Sequence, residues 1–259
     1  MQDAIICHLS VIPIRREPND RSEIVTQLLF GERAIVVEEN WPWLKVKLQY
    51  DDYEGWLDHK QVTALSDEED QYINALPITC TYDIVQIVSY DQRKVVPVVL
   101  GSTLPCYKQP TFSFNNIKFA YEGMTKTFAI ADKSLLMENA YMYLNAPYLW
   151  GGRTPFGIDC SGFTQQVYKL CGIKILRDAS QQATQGRTLN NLNESLPGDL
   201  AFFQNKDQKI IHVGIILPGN KIIHASGNVR IDKITERGIY NEEAKRFTHE
   251  LCLLKNISA

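Results

Sequence analysis

The sequence lacks the features that would place it on a membrane or a nucleic acid. No stretch approaches the roughly 18 consecutive apolar residues that a membrane helix needs. The first residues, MQDAIICHLS, carry an acid where a secretory leader carries lysine or arginine, and the apolar run Ala4 to Cys7 stops at His8. Excess positive charge is also missing: 27 lysines and arginines against 30 aspartates and glutamates give a formal net charge of -3, with no basic stripe to track a phosphate backbone. Neither nucleic acid nor membrane is expected as a partner.

Clustered cysteine is absent too. The six cysteines, at positions 7, 80, 106, 160, 171 and 252, form no C-x-x-C pair or other metal-type spacing. No metal and no cofactor are expected, and free thiols fit a reducing compartment better than a disulfide framework. Cytoplasmic residence is the expectation, with the periplasm or the exterior as the alternative if a leader has been removed. Five of the six cysteines read as small buried apolar residues, the usual fate of free cysteine. Cys160 is the exception.

What is present is an ordinary globular composition, 44% hydrophobic and 22% charged, in a chain of 259 residues, long enough for two or three small domains. From Ile24 to about Val62 short β-rich runs (Glu23 to Phe30, Ala34 to Val37, Trp43 to Leu48, Gly55 to Leu57) alternate with turn signals, and Leu44, Val46 and Leu48 against Lys45, Lys47 and Gln49 give one buried and one wet face. The acidic stretch Ser66 to Gln71 reads as a linker or a short connecting helix. A second β-rich region follows, with strands at Asp83 to Ser89, Val95 to Leu100 and Ile117 to Tyr121, bounded by prolines and glycines. The spacing predicts two small barrels in succession.

At Asp132 to Leu144 the period becomes helical, behind a cap at Asp132 or Ser134. A glycine- and aromatic-rich loop, 145–157, then delivers the chain to a helix from Cys160 to about Cys171, with Phe163, Val167, Leu170 and Cys171 as its buried stripe and Gly172 at its end. A strand at Leu200 to Phe203 precedes a final hairpin, Ile210 to Leu217 and Lys221 to Ser226, turning at Pro218 to Asn220.

Cys160 falls at the first turn of a helix, where unpaired N–H groups and the positive end of the dipole favour an anion. The thiol is therefore expected to be pushed toward thiolate, the state a nucleophile needs. The hairpin supplies the partner. With a three-residue turn Leu217 pairs with Lys221, so His212 faces Ser226, His224 faces Gly214, and all four share one face. The two histidines become diagonal neighbours about 7 to 8 Å apart along the backbone, close enough for one imidazole to orient the other, while Ile211, Val213 and Ile215 line the opposite face. His212 is read as general base, His224 as its orienting partner, and the Cys160 N–H as oxyanion donor. Tyr148 is a second oxyanion candidate, or packs in the aromatic loop beside Trp150. A zinc site of one cysteine and two histidines lacks an evident fourth ligand.

The segments PYLWGGRTPFGIDCSGF, LPGDLAFF, HVGI and IIHAS together resemble the catalytic domain of the NlpC/P60 cysteine peptidases, in content, order and separation. SEIVTQLLFGE and WLKVKLQYDDYEGW resemble the first bacterial SH3-like domain of the γ-D-glutamyl-L-diamino acid endopeptidases, and VVPVVLGSTLPCY with FAYEGM their second. The resemblance implies an α+β architecture: a papain-like NlpC/P60 catalytic domain at 132–259 preceded by two small SH3-like β-barrels, at 1–65 and 81–131, with 66–80 between them. It implies hydrolysis of the γ-D-glutamyl–diamino acid bond of free murein peptides by a monomer, the first barrel selecting an N-terminal L-alanine. By the same resemblance Asp159, Ser161, Tyr53 and Glu23, with Glu32 as an alternative to Glu23, grip the substrate amine, and Trp150 lines the substrate site. Two other readings compete: a secreted endopeptidase anchored to intact peptidoglycan by its barrels, and a thiol acyltransferase in which an amine replaces water.

Overall fold

The alternating runs of the first half of the chain fold as antiparallel strands. The computed structural model describes residues 3–91 and 94–257, which divide into two compact units, Met1–Ile130 and Ala131–Ala259. In the first unit β1 (Ala4–Cys7), β2 (Val11–Arg15), β3 (Ile24–Leu29), β4 (Arg33–Asn40), β5 (Trp43–Leu48), β6 (Glu54–Asp58) and β7 (Val62–Ala64) form one sheet in the order β3-β2-β6-β5-β4-β1-β7. Leu44, Val46 and Leu48 face inward as their alternation requires, joining Ile12, Ile14, Leu28 and Leu57. β1 and β2 went unread in the sequence: β1 is a four-residue fully buried strand with no alternation, and β2, though alternately buried, is five residues long and interrupted by Pro13.

The acidic stretch is a helix, not a flexible linker. α1 (Asp67–Asn74) starts at a capping box between Ser66 and Glu69 and carries its acids in the first turn, where the dipole favours them. An Arg33–Asp70 ion pair pins it to β4, and Ile73 enters the core. Beyond it lie β8 (Ile78–Thr81), β9 (Val85–Tyr90), β10 (Lys94–Val99), β11 (Thr111–Phe114), β12 (Ile117–Ala120) and β13 (Thr125–Phe128). They form a sheet β10-β9-β12-β11 and a pair β13-β8. Pro97 does not end its strand: β10 is an edge, where the missing N–H costs no ladder bond. Phe30 meets Phe112, Phe114 and Phe119 edge-on, so both β regions share one aromatic core.

In the second unit Asp132 caps a short turn that leads into α2 (Leu136–Tyr141), shorter than the expected run to Leu144. The loop contains the two-residue strands β14 (Arg153–Thr154) and β15 (Gly157–Ile158) and opens into α3 (Cys160–Lys169), every residue of which is buried. Gly172, at φ +74, ends α3: its N–H bonds Lys169 O at 2.9 Å and the next N–H bonds Tyr168 O at 3.0 Å. After α4 (Ala179–Gln182) come β16 (Arg187–Leu189), β17 (Leu200–Gln204), β18 (Ile210–Leu217), β19 (Lys221–Ser226), β20 (Asn228–Thr235), β21 (Gly238–Asn241) and β22 (Arg246–Asn256).

The β18–β19 hairpin has the expected register, Leu217 opposite Lys221 and Gly214 opposite His224. It is not the last hairpin. The chain continues into β20, β21 and β22, and β21 pairs back to β22, so that β22-β17-β18-β19-β20-β21 closes on itself with β16 outside. One face of this ring encloses Ala201, Phe203, Ile216, Ile222, Ile234, Ile239 and Leu254. The other buries Phe202, Val213, Ile215 and Ile223, and α3 lies against β18 and β19. Ile211 departs from expectation: the ladder slips between Phe203 and Gln204, and Ile211 bulges out to 53% exposure. Among the other cysteines, Cys7, Cys80 and Cys171 are buried as expected, but Cys106 is half-buried and Cys252 is exposed midway along β22.

Candidate active site

Cys160 is the first residue of α3, behind Asp159 as N-cap, whose carboxylate accepts the Gly162 N–H at 2.6 Å. The helix start is pressed into the preceding loop: a Cβ on Gly162 would stand 2.3 Å from Gly152 O, which only glycine avoids. Asp159 accepts five hydrogen bonds: from Gly162 N, Gly151 N at 2.9 Å, Arg177 Nη1 at 3.0 Å, Arg177 Nη2 at 2.6 Å and the Ser161 hydroxyl at 3.4 Å. Arg177 also donates to Ser161 Oγ at 2.9 Å, and both ends of the pair are almost wholly buried. Asp159 and Ser161, the residues expected to grip a substrate amine, are both engaged by Arg177. The Asp159–Arg177 pair clamps the helix start. Arg177→Met would strand the carboxylate and is expected to lower stability by about 3–5 kcal/mol, read as a lowered midpoint in urea.

Cys160 is 7% exposed, and its sulfur hydrogen-bonds the backbone at Val213, the neighbour of His212. Burial pushes the thiol up to about 12, with the Asp159 charge adding to it; the backbone bonds from Val213 and Ser161 and the Arg177 charge pull the other way without prevailing. The expected thiolate is therefore not the resting state. Burial, then His224, then His249 hold His212 well below its ordinary value, so the resting pair is a thiol beside a neutral imidazole.

His212 Nε2 lies 2.8 Å from His224 Nδ1, and His224 Nε2 lies 3.0 Å from Asp232 Oδ2. Gly214 makes room for this: a Cβ there would come within 2.8 Å of His224 Cβ. Burial opposes ionisation of Asp232, but hydrogen bonds from His224 and Arg230 outweigh it and hold the carboxyl below its usual value. Being ionised, Asp232 can only accept. His224 must then carry its proton on Nε2 and accept at Nδ1, and His212 must carry its own on Nε2. The one nitrogen left with a lone pair is His212 Nδ1, the nitrogen a thiol proton needs. Arg230 completes the chain, donating to Asp232 at 2.8 and 3.1 Å.

Of the expected trio, His212 and His224 are joined by a hydrogen bond and the Cys160 sulfur bonds the backbone of Val213 beside them, and two residues join the group that the sequence reading missed. Asp232 comes from β20, where Ile222 pairs with Asp232 and His224 with Arg230; carrying the hairpin register through Gly227 into the next strand would have found it. His249 comes from β22, its ring 4.2 Å from that of His212 and nearly parallel to it, at 23°. Nitrogens of His212, His224 and His249 come within 4.8 Å of one another. The stacked rings of His212 and His249 direct their lone pairs in near-parallel planes, however, and the His212–His224 link is already a hydrogen bond, a geometry that serves proton relay rather than tetrahedral coordination.

Tyr148, the second oxyanion candidate, is half-buried near Cys160 and Asp159, and burial first keeps its hydroxyl protonated. Trp150 is 60% exposed on the same loop. Tyr53 and Glu23 belong to the first unit. Tyr53 packs on the sheet core, Glu23 pairs with Arg16 at 2.7 Å, and the alternative Glu32 is buried, accepting the Leu29 N–H at 2.9 Å.

A buried thiol at a helix start, bonded to the backbone of the residue after a neutral imidazole, with a second imidazole and a carboxylate behind that imidazole, is the arrangement of a cysteine peptidase. Residues 145–247 match the NlpC/P60 family, and residues 14–62 match the bacterial dipeptidyl-peptidase SH3 domain. The chain is 28% identical over 248 residues to the γ-D-glutamyl-L-lysine dipeptidyl-peptidase of Bacillus cereus, covering 86% of this chain and 74% of that protein. It is 27% identical over 239 residues to the enzyme of that name from Bacillus subtilis (85% and 79% covered), and 28% identical to dipeptidyl-peptidase 6 of Lysinibacillus sphaericus (85% and 88%). A crystal structure of an NlpC/P60 family protein from Bacillus cereus superposes with a TM-score of 0.82 over 98% of this chain and 99% of that one, at 20% identity. The chain thus carries an NlpC/P60 cysteine-peptidase domain over residues 145–247 and a bacterial SH3-like domain over residues 14–62.

Proposed function

We propose that this peptidase cuts the bond between γ-D-glutamate and a diamino acid in free murein peptides that begin with L-alanine, as a cytoplasmic monomer that recycles cell-wall peptides. The observation that carries the reading is the Cys160–His212–His224 relay, found in a chain whose SH3-like segment matches a domain type of dipeptidyl-peptidases. A dipeptidyl-peptidase counts two residues from a free N-terminus, so it must recognise that terminus.

In the proposed cycle His212 Nδ1 takes the Cys160 proton as the sulfur attacks the γ-carbonyl. The oxyanion is held by the Cys160 N–H and the Tyr148 hydroxyl, and His212 gives the proton to the departing α-amine of the diamino acid. Water then enters by the reverse path and hydrolyses the thioester. Through each transfer His224 and Asp232 stabilise the imidazolium without taking the proton.

Recognition of the amine is proposed for Asp159 and Ser161 together with Tyr53 and Glu23 or Glu32, the residues for which the resemblance gives that role. Trp150 offers an exposed apolar surface to the peptide. Residues 81–131 are proposed as a second SH3-like barrel, supported by the short antiparallel strands β9 to β12 around Phe112, Phe114 and Phe119.

The test compares L-Ala-γ-D-Glu-L-Lys, and its meso-diaminopimelate counterpart, with N-acetylated twins. The acetyl group removes the ammonium and leaves a carboxylate unpaired, so kcat/KM is expected to fall about 10- to 100-fold, the equivalent of roughly 1–3 kcal/mol. Equal rates on free and acetylated peptides would overturn the specificity, and release of fragments from purified sacculi would favour the intact wall as substrate.

A further inference from the structure

His249 has no part in the relay, yet its ring lies flat against that of His212, with centroids 4.2 Å apart and planes at 23°. It is also edge-on to His224 at 5.7 Å and to Phe203 at 5.9 Å, while Phe203 packs on His212 at 5.7 Å. Its Nδ1 is tied to the Thr248 hydroxyl at 2.9 Å. The placement follows from closure of the ring of strands: Ile239 pairs with His249 and Phe203 with His212, so β22 and β18 bring their side chains over Phe203 from either side of β17. Beyond His249 lies a cavity of about 600 Å³ whose walls include Ile211, Phe247 and Leu251 and the charged Lys206, Glu236, Arg237 and Glu250. His249 is therefore the wall between this solvent-facing cavity and the base.

We infer that His249 is a positioning residue for the general base: its ring holds the plane of His212 so that Nδ1 stays aimed at the Cys160 sulfur, and it shuts water from the far side off the imidazole. The inference rests on the reading of His212 as the base of a cysteine peptidase. A single hydrogen bond, from His212 Nε2 to His224, fixes one point of the ring but leaves it free to rock about that point. A flat partner removes the freedom, and near-attack geometry is sensitive to such tilts. The groups facing His212 are His224 from β19, Asp232 from β20, His249 from β22 and Cys160 from α3; Phe203 of β17 is uncharged. His249 is itself held down to about 4, by burial first and then by His224, with Asp232 opposing, so it stacks as a neutral ring at neutral pH. Burial and the neighbouring His249 both depress His212, so opening this wall should let His212 take up a proton at higher pH than it does in the intact protein.

The experiment uses the full chain with His249→Ala and His249→Phe, two readouts and one control. The first readout is the pH dependence of Cys160 alkylation by iodoacetamide, which needs no peptide. The second is kcat and KM on L-Ala-γ-D-Glu-L-Lys. For His249→Ala the acid limb of alkylation is expected to move up toward the ordinary histidine value of about 6.5. Its kcat should fall about tenfold, short of the ~10²-fold that a 1 Å misplacement costs, with KM unchanged. His249→Phe, which keeps a flat ring, should recover kcat to within about threefold, since a stacked aromatic pair is retained. An acid limb that stays in place with kcat intact in His249→Ala overturns the inference. So does equal loss in both variants without a shift of the limb, the mark of simple unpacking, which the thermal midpoints as control would register. If the unmodified protein cleaves none of the peptides, the functional reading fails, while the alkylation profiles still decide the role of His249.

Discussion

Cys160→Ala is expected to abolish peptide hydrolysis, with kcat/KM falling by at least about 10³-fold, toward the residual rate that binding and oxyanion contacts alone sustain. The side chain removed is small and buried at a helix start that is fixed by other residues: Asp159 is held by Arg177 and by the Gly151 and Gly162 N–H groups, and none of those bonds touches the sulfur. The fold should therefore survive, with a thermal midpoint near that of the unmodified protein, while the acyl-enzyme step becomes impossible. Cys160→Ser should be nearly as inactive, because a hydroxyl is a far weaker acid than a thiol and the relay behind His212 is arranged for a thiol proton. Mass spectrometry after incubation with an iodoacetamide-type reagent supplies the complementary readout. Alkylation at residue 160 in the unmodified protein, and none there in the alanine variant, ties the lost rate to the sulfur, with the exposed Cys252 as an internal reference. Appreciable release of the diamino acid by Cys160→Ala would remove the thioester from the mechanism.

Much of this centre is legible in the sequence because its first three members lie on two local elements. A helix begins at Cys160 after a loop with glycines at 151, 152 and 157, and a three-residue turn fixes which residues of the following hairpin share a face, so parity alone brings His212 and His224 together. Asp232 and His249 arrive by another route. They depend on β20, β21 and β22 closing the sheet onto itself, a long-range pairing that no local period reports. Arg177 is hidden for a similar reason: it follows α3 by a loop, and only the packed structure reveals that it is spent on Asp159 rather than left to meet a substrate. The charge state was the hardest property to read. Sequence places the thiol at the positive end of a helix, which lowers its pKa, but the competing term is desolvation, and that is decided by how completely α3 is covered. In the first unit the same limit applies to β1 and β8, strands too short and too evenly buried to leave an alternating signature.

The fate of the thiol proton leads to the second large effect. His212→Ala is expected to lower kcat/KM at neutral pH by about 10³-fold or more, by analogy with loss of a general base in comparable triads, and to change the shape of the pH profile. In the unmodified protein the thiol needs no prior ionisation, because His212 Nδ1 accepts its proton as the bond to carbon forms. Activity should then be nearly flat through neutral pH, failing on the acid side only when His212 is protonated, below its ordinary value because burial, His224 and His249 all depress it. Without the imidazole, reaction must wait for thiolate produced by the solvent. The thiol is raised to about 12, so thiolate is scarce at neutrality and grows about tenfold with each pH unit until that value is approached. The residual rate of His212→Ala should accordingly climb with a slope near one on a logarithmic plot, where the unmodified protein shows a plateau. His224→Ala is the informative contrast: it leaves the base in place but frees its tautomer and removes the link to Asp232, so the rate should fall less and the plateau should persist at a lower level. A flat profile for His212→Ala at a rate close to that of the unmodified protein would mean that the sulfur is already ionised without its base, and the resting thiol–imidazole pair would have to be abandoned.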